Sequence, residues 1–216
     1  MTTPLRSVRR AGSTALLAEL SDLSDVMALR VVMERDRPEG VQELVAAART
    51  LLITYDPAVT EHDRLSHVVT ERAAALPHTR DADQQQSPEY DPLVVPVLYD
   101  GPDLADVAEL TGLTVDEVIA RHTTPLYTVA FVGFAPGFGY LVGTDPALCL
   151  PRRSEPRTSV PVGSVAVAGG FTSVYPRSSP GGWQLLGTTD LPLWDEDRTP
   201  PGLLVPGRRI RFKEAR

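Results

Sequence analysis

The alternation of apolar and polar positions changes period several times along the chain, and each change marks an element. Thr14 to Leu20 reads as a short strand. Ser21 or Asp22 is placed to cap a helix, because a short polar side chain accepts from the exposed N–H groups of a first turn. Val26, Leu29 and Met33 then recur at helical spacing on one face. Arg37-Pro38-Glu39-Gly40 reads as a turn, followed by strands over Val41 to Ala47 and Thr50 to Tyr55, with Ala46 to Ala48 equally compatible with helix. Asp56-Pro57 ends the second of these strands. Thr60 to Leu76 predicts another helix, with Leu65, Val68, Val69 and Arg72 spaced to bury one side. The order β-α-β-β-α predicts a small unit of ferredoxin-like type.

Thr79 to Asp91 carries Gln84-Gln85-Gln86, Ser87 and Pro88 and has too little apolar surface to order itself, so it reads as a linker or mobile loop. The expected boundary lies there, between an N-terminal α+β domain (residues 1–90) and a second domain (residues 91–216). The second opens with a strand, Leu93 to Tyr99, then two short helices, Asp103 to Leu110 and Thr114 to Arg121. Thr114 and Glu117 match a capping box. Strands are expected at Leu126 to Phe134, Val165 to Ala168, Val174 to Tyr175, Gln184 to Gly187 and Arg208 to Phe212. Many short strands without long helices between them predict a barrel or a sandwich. The fold class is therefore α+β. No repeat of fixed period occurs.

Composition separates the two parts further. Of the 216 residues, the first 124 hold 21 acidic and 11 basic side chains, and the last 92 hold 7 and 10. A net of −10 thus stands against +3, within a total of −7. The last 92 also hold 12 of 20 prolines, 12 of 16 glycines and 10 of 13 aromatics, as many tight turns require. The overall acidity excludes a whole-molecule basic footprint for nucleic acid. Twenty arginines stand against one lysine, Lys213, which nearly removes Schiff-base chemistry. No G-x-x-x-x-G-K-[ST] loop is present. The single Cys149 excludes an internal disulfide and a multi-Cys zinc site, and its apolar flanks favour an inert thiol. No apolar run reaches a membrane span, and the arginines near the start precede no signal-peptide core, so a cytoplasmic location is expected.

Candidate chemistry is sparse. His62, His67 and His78 lack metal-ligand spacing and read as surface residues. His122 ends a helix, where the dipole favours its charged form, and reads either as a helix cap or as part of a site. No G-x-S-x-G occurs, and Ser164 has no histidine nearby in sequence. Three loops remain. Gly133 to Leu141 combines a Pro136-Gly137 turn with the rings of Phe134, Phe138 and Tyr140. Pro151 to Arg157 places Arg152, Arg153 and Arg157 in a proline-stiffened segment suited to clamp a carboxylate or phosphate, or else forms a solvated basic loop. Ser178 to Trp183 sets Gly181-Gly182 before Trp183, either as an anion cradle or as a turn that buries the ring.

Taken together, Phe134-Ala135-Pro136-Gly137-Phe138-Gly139-Tyr140-Leu141, Pro151-Arg152-Arg153 with Pro156-Arg157, Val160-Pro161-Val162-Gly163-Ser164-Val165, Tyr175-Pro176 and Ser179-Pro180-Gly181-Gly182-Trp183 resemble the family of B-type 5-oxoprolinase subunits. That family is also labelled allophanate hydrolase subunit 1 and includes the sporulation-kinase inhibitor KipI. The resemblance spans about Val95 to Asp195, with His122-Thr123 in register. It implies a cyclophilin-like β-barrel as the C-terminal domain and a small α+β N-terminal domain. It also implies work beside a homologous C-type subunit (allophanate hydrolase subunit 2) and an A-type subunit. The set would hydrolyse 5-oxoproline to glutamate, with ATP bound by the complex rather than by this chain alone. The related carboxyltransferase region of urea carboxylase uses biotin. The matching positions imply His122, Arg157 and Ser164 as catalytic candidates. They imply Phe134, Pro136, Gly137, Phe138, Tyr140, Arg152, Gly182 and Trp183 as substrate-binding candidates, with no metal. His122 would act as general acid/base or positioning donor, and Arg152 and Arg157 would hold a carboxylate or a phosphorylated intermediate. Two positions depart from the family pattern: Phe171 stands where a glutamine is usual and Thr188 where an arginine is usual. The alternative readings are an allophanate-hydrolase or urea-carboxylase-like subunit and a regulator that binds a histidine kinase, and a prolyl isomerase rests on fold analogy alone.

Overall fold

The computed structural model describes residues 4–76 and 91–215, and the chain divides into two units, 1–86 and 87–216. The expected linker and the 90/91 boundary fall outside the described residues, save for Asp91.

The first unit runs β1 (Leu5–Arg10), β2 (Ala15–Leu20), α1 (Leu23–Arg35), β3 (Val41–Ala46), β4 (Thr50–Tyr55) and α2 (His62–Ala74). Alternation dictates the sheet's buried face. Leu16, Ala18 and Leu20 of β2 and Leu51, Ile53 and Tyr55 of β4 are buried, and α1 and α2 contact these strands. Helix α1 brings the expected Val26, Leu29 and Met33 inward, capped by Asp22, whose carboxylate accepts from the Asp25 N–H at 3.0 Å. In α2 the inward row is Leu65, Val69 and Ala73. Arg72 is only half-buried, and its guanidinium instead pairs with Asp36 at the end of α1. The sheet is antiparallel in the order β1-β2-β4-β3. A ferredoxin-like unit places a strand after its second helix. Here the strand beside β2 is β1, from the N-terminal side, in a stretch whose arginines conceal its alternation.

The second unit contains β5 (Leu93–Val97), α3 (Leu104–Thr111), α4 (Val115–Thr123), β6 (Tyr127–Val132), β7 (Gly139–Val142), β8 (Arg157–Val160), β9 (Ser164–Ala168), β10 (Phe171–Val174), β11 (Ser179–Gly181), β12 (Gln184–Thr188) and β13 (Arg209–Glu214). Seven strands form one sheet in the order β12-β9-β10-β7-β6-β13-β5, and β8 and β11 form a separate pair. The two outermost strands meet. Leu98, just past β5, and Thr188, at the end of β12, exchange both backbone hydrogen bonds at 2.8 Å. The sheet is thereby a nearly closed barrel rather than a sandwich. Val95, Val97, Tyr127, Val129, Leu141, Val165, Val174, Ile210 and Phe212 fill its interior. Strand β9 is buried along its whole length, which explains its unbroken run of apolar residues. Its Ala166 and Ala168 pack with Phe138, Tyr175 and Trp183, so small side chains on β9 make room for large rings.

Close backbone approach sets the seam. A Cβ on Gly187 would lie 2.2 Å from the Leu98 carbonyl oxygen, and one on Gly101 would lie 2.3 Å from that of Leu185. Neither site tolerates a side chain without moving β12 away from β5. Gly187→Ala should therefore destabilise the protein by about 2 kcal/mol or more. Gly170→Ala, which meets nothing within 4 Å, should stay within about 0.5 kcal/mol of the parent. Urea denaturation of both variants measures this, and equal midpoints would remove the seam from the account.

Candidate functional site

The aromatic loop folds back on itself because Gly137 takes a φ of 81°, and Phe134 is held at a φ of 69°, a conformation rare for a side-chain-bearing residue. Strain of this kind gathers at sites that bind. Phe138 is 1% exposed and lies at the centre of the rings. Its centroid is 5.2 Å from Phe134, 5.1 Å from Tyr140, 5.3 Å from Tyr175 and 5.5 Å from Trp183, all edge-on. These rings, with Arg152, Pro180, Gly181 and Gly182, enclose a cavity of about 50 Å³. That is several times the space one water needs and far below a pocket for a drug-sized ligand. Burial pushes the Tyr140 and Tyr175 phenols up, with Arg152 acting in the opposite sense on both. Both hydroxyls remain protonated donors at neutral pH.

The three arginines of the stiff loop do not act together. Asp103, 1% exposed, lies at the start of α3. One of its carboxylate oxygens accepts from Arg153 Nη1 at 2.5 Å and Arg157 Nη2 at 2.7 Å. The other accepts from Arg157 Nη1 at 2.9 Å and the Leu185 N–H at 2.7 Å. The Arg153 N–H also donates to the Gly182 carbonyl at 2.7 Å, which ties the loop to the wall that carries Trp183. Arg152 has no ion pair among the described residues, and it alone of the three lines the cavity. Arg157, expected to meet substrate, has both terminal nitrogens of its guanidinium engaged by Asp103.

The other catalytic candidates lie elsewhere. Ser164 is 2% exposed, and its hydroxyl donates to the Pro161 carbonyl at 2.8 Å, as a turn staple. His122 is fully buried in the last turn of α4, its Nδ1 2.7 Å from the Tyr99 hydroxyl and its ring 4.5 Å from Phe212. The Tyr127 hydroxyl donates to its carbonyl at 3.0 Å, and its Nε2 has no hydrogen-bond partner among the described residues. Burial pushes its pKa down to about 3. Desolvation therefore outweighs the helix dipole, which by itself predicts a charged ring. His122 lines neither this cavity nor its neighbour.

That neighbour is a larger apolar groove of about 470 Å³, walled by Gly133 to Gly137 on one side and by Trp194, Pro200, Pro201 and Leu204 on the other. Pro136 and Gly137 belong to it rather than to the aromatic cavity, and Phe134 borders both. Phe171 packs edge-on against Tyr140 at 5.6 Å, so its ring supports the cavity wall. Thr188 sits at the barrel seam, its hydroxyl donating to Asp100 at 3.0 Å. Sequence reasoning missed Tyr175 and Asp103. The three clustered arginines were a signal that a counter-charge had to exist, but not where. His78 lies outside the described residues. No group of three or more His, Cys, Asp or Glu suited to a metal occurs among the described residues, and no helix there is long and apolar enough to cross a membrane.

The buried neutral His122 gives a signed pH dependence. The unfolded ring binds a proton near pH 6.5 and the folded ring only near pH 3. Stability should therefore be complete above pH 6.5 and decline as pH falls toward 3, by up to about 1.4 kcal/mol per unit. Urea unfolding between pH 7.5 and 4.5 should show a shallower acid loss in His122→Gln than in the parent, by about 2–3 kcal/mol over that range. Parallel curves would show that the ring charges without cost.

Comparison with known proteins gives the site a setting. Residues 6–204 match the family described as carboxyltransferase domain, subdomain C and D. The B-type subunit of 5-oxoprolinase from Escherichia coli O157:H7 is 50% identical over 121 residues, covering 55% of this chain and 56% of that protein. The chain spans about half the length of the curated relatives it matches. The solved structure of TTHA0988 is 38% identical with a TM-score of 0.73, covering 97% of this chain and 40% of the other. The Kluyveromyces lactis urea carboxylase, 18% identical with a TM-score of 0.72 over 100% of this chain and 23% of its own, shares the fold. With nearly its whole length matched, the chain belongs to the carboxyltransferase domain family, subdomains C and D.

Proposed function

We propose that this chain is the B-type subunit of an ATP-dependent amidohydrolase that opens 5-oxoproline to glutamate, working in the cytoplasm with homologous C-type and A-type subunits. The observation that carries the reading is the convergence of Arg152 with Phe134, Phe138, Tyr140, Gly182 and Trp183 around one small cavity. The name of the curated relatives agrees with it. In this reading the barrel is cyclophilin-like, and the first unit is a ferredoxin-like variant with its edge strand drawn from the N-terminal side.

Arg152 offers two parallel donors to the ring acid's carboxylate. The aromatic edges pack on the ring, and the protonated Tyr140 and Tyr175 supply donors to oxygen. Holding the lactam in one orientation is this chain's contribution to the reaction. The residues here do not fit ATP. The cavity has a single uncommitted guanidinium, the neighbouring groove is apolar, and there is no phosphate loop. Nucleotide handling and amide activation are therefore assigned to the partners.

Reconstitution with the homologous C-type and A-type subunits, assayed for glutamate release from 5-oxoproline with and without ATP, tests this. ATP-dependent release is expected, with Arg152→Met lowering kcat/KM about tenfold or more, chiefly through KM. A fully assembled set that releases no glutamate would overturn the substrate assignment.

A further inference from the structure

The two spaces beside the aromatic loop are each incomplete as a binding site. The ring-lined cavity is bordered by Arg152 and the Tyr140 and Tyr175 phenols, but its volume of about 50 Å³ has room for a few waters only. The apolar groove holds about 470 Å³, within the range of pockets that enclose a metabolite, yet no charged side chain lines it. Phe134 is the one residue common to both linings. Only with that ring displaced do the room and the polar groups belong to one space.

The loop is built to move at this residue and to hold still on either side of it. The Phe134 ring is 60% exposed, and its ring contacts are two edge-on ones, at 5.2 Å to Phe138 and 6.5 Å to Tyr175. Its φ of 69° is unfavourable for a residue with a Cβ, so the ordinary negative region is open to it. Its own N–H and carbonyl make no hydrogen bond among the described residues, and a turn of its backbone breaks none. The neighbours are pinned. The Gly133 N–H donates to the Phe138 carbonyl at 3.1 Å, the Ala135 N–H to the Gly133 carbonyl at 2.8 Å, and the Phe138 N–H to the Ala135 carbonyl at 3.0 Å. At the far end of the turn, a Cβ on Gly137 would lie 3.1 Å from the Cβ of Trp194 and 3.2 Å from that of Pro176, so the backbone is packed against both.

We infer that Phe134 is a gate. With its ring seated on Phe138 it divides the cavity from the groove, and with its ring swung out the two join into one space of ligand size that Arg152 and both phenols border. The inference rests on the binding role given to the cavity above. It gives Phe134 control of admission rather than a place in a fixed wall, and it makes the groove the entrance. The fraction of molecules with the gate open then scales the apparent affinity.

The chain's two tryptophans report on the two sides, since Trp183 lines the cavity and Trp194 the groove. In a Trp194→Phe protein, Trp183, 4% exposed, is the sole indole. Acrylamide quenching of its fluorescence should rise about threefold when Phe134→Ala is added, with Phe134→Leu between the two. Val162→Ala removes a side chain that is 63% exposed and lines neither space, and it should leave the quenching unchanged. In a second experiment the full chain carries 4-fluorophenylalanine at position 134 and is titrated with 5-oxoproline. The fluorine signal should shift toward a second, solvent-exposed position as Trp183 fluorescence reports binding. The Leu variant and the fluorine probe decide the matter even if Phe134→Ala does not fold. Quenching of Trp183 indifferent to the Phe134 ring, or a fluorine signal that stays fixed while 5-oxoproline binds, overturns the inference. Exposure of Trp183 by Phe134→Ala, with no response of either probe to 5-oxoproline, leaves the gate standing and removes only the 5-oxoproline assignment.

Discussion

One buried carboxylate organises the binding face of the second unit. Asp103 is taken out of water at the entry to α3, a costly placement for a charge unless its lone pairs are filled. They are filled by two arginines from the stiff loop and by a backbone N–H of β12. Segments fifty and more residues apart in sequence are thereby fixed to one another. The same contacts decide which charges remain for a ligand. Had Asp103 been apolar, the loop would present a cluster of three cations. With Asp103 present it presents Arg152 alone.

The closure of the barrel places β12 where this network needs it. Gly187 and Gly101 admit backbone to within a distance no side chain would allow, and the Leu98–Thr188 exchange locks the seam. The Asp103 N–H in turn donates to the Leu185 carbonyl at 3.2 Å, so α3 and β12 are tied in both directions. Trp183 directly precedes β12 and stands over Phe138, while Ala166 and Ala168 of β9 leave it room. Seam, network and ring cluster therefore form one mechanical sequence, from backbone packing to the cavity that Arg152 lines.

Local signals were readable from the chain. The inward row of α1, its Asp22 cap and the reciprocal Thr114–Glu117 box were all legible, because each depends on residues three or four apart. Strand β1 was not, since Arg6, Arg9 and Arg10 mask its alternation. Strand β7 was hidden inside the glycine-rich aromatic loop, and β8 and β11 are short and largely exposed. At the site, the clustering of rings and the loop arginines were visible in the sequence. The division of labour among those arginines was not, because it depends on an aspartate 50 and 54 residues away from its partners. The environment of His122 was illegible for a related reason. Its position at a helix end is local information, whereas the burial that neutralises it comes from Tyr99, Tyr127 and Phe212.

Observing the guanidinium groups themselves tests the central claim most directly. Nitrogen-detected NMR of the arginine side chains, assigned by single Arg→Lys variants, distinguishes a guanidinium held by a carboxylate from one that rotates freely. The account predicts slow rotation and exchange-protected terminal protons for Arg153 and Arg157, unchanged when a monocarboxylate is added. It predicts fast rotation for Arg152 in the free protein, slowed on addition of that ligand. Three arginines that respond alike to the ligand, or an Arg157 as mobile as Arg152, would contradict it.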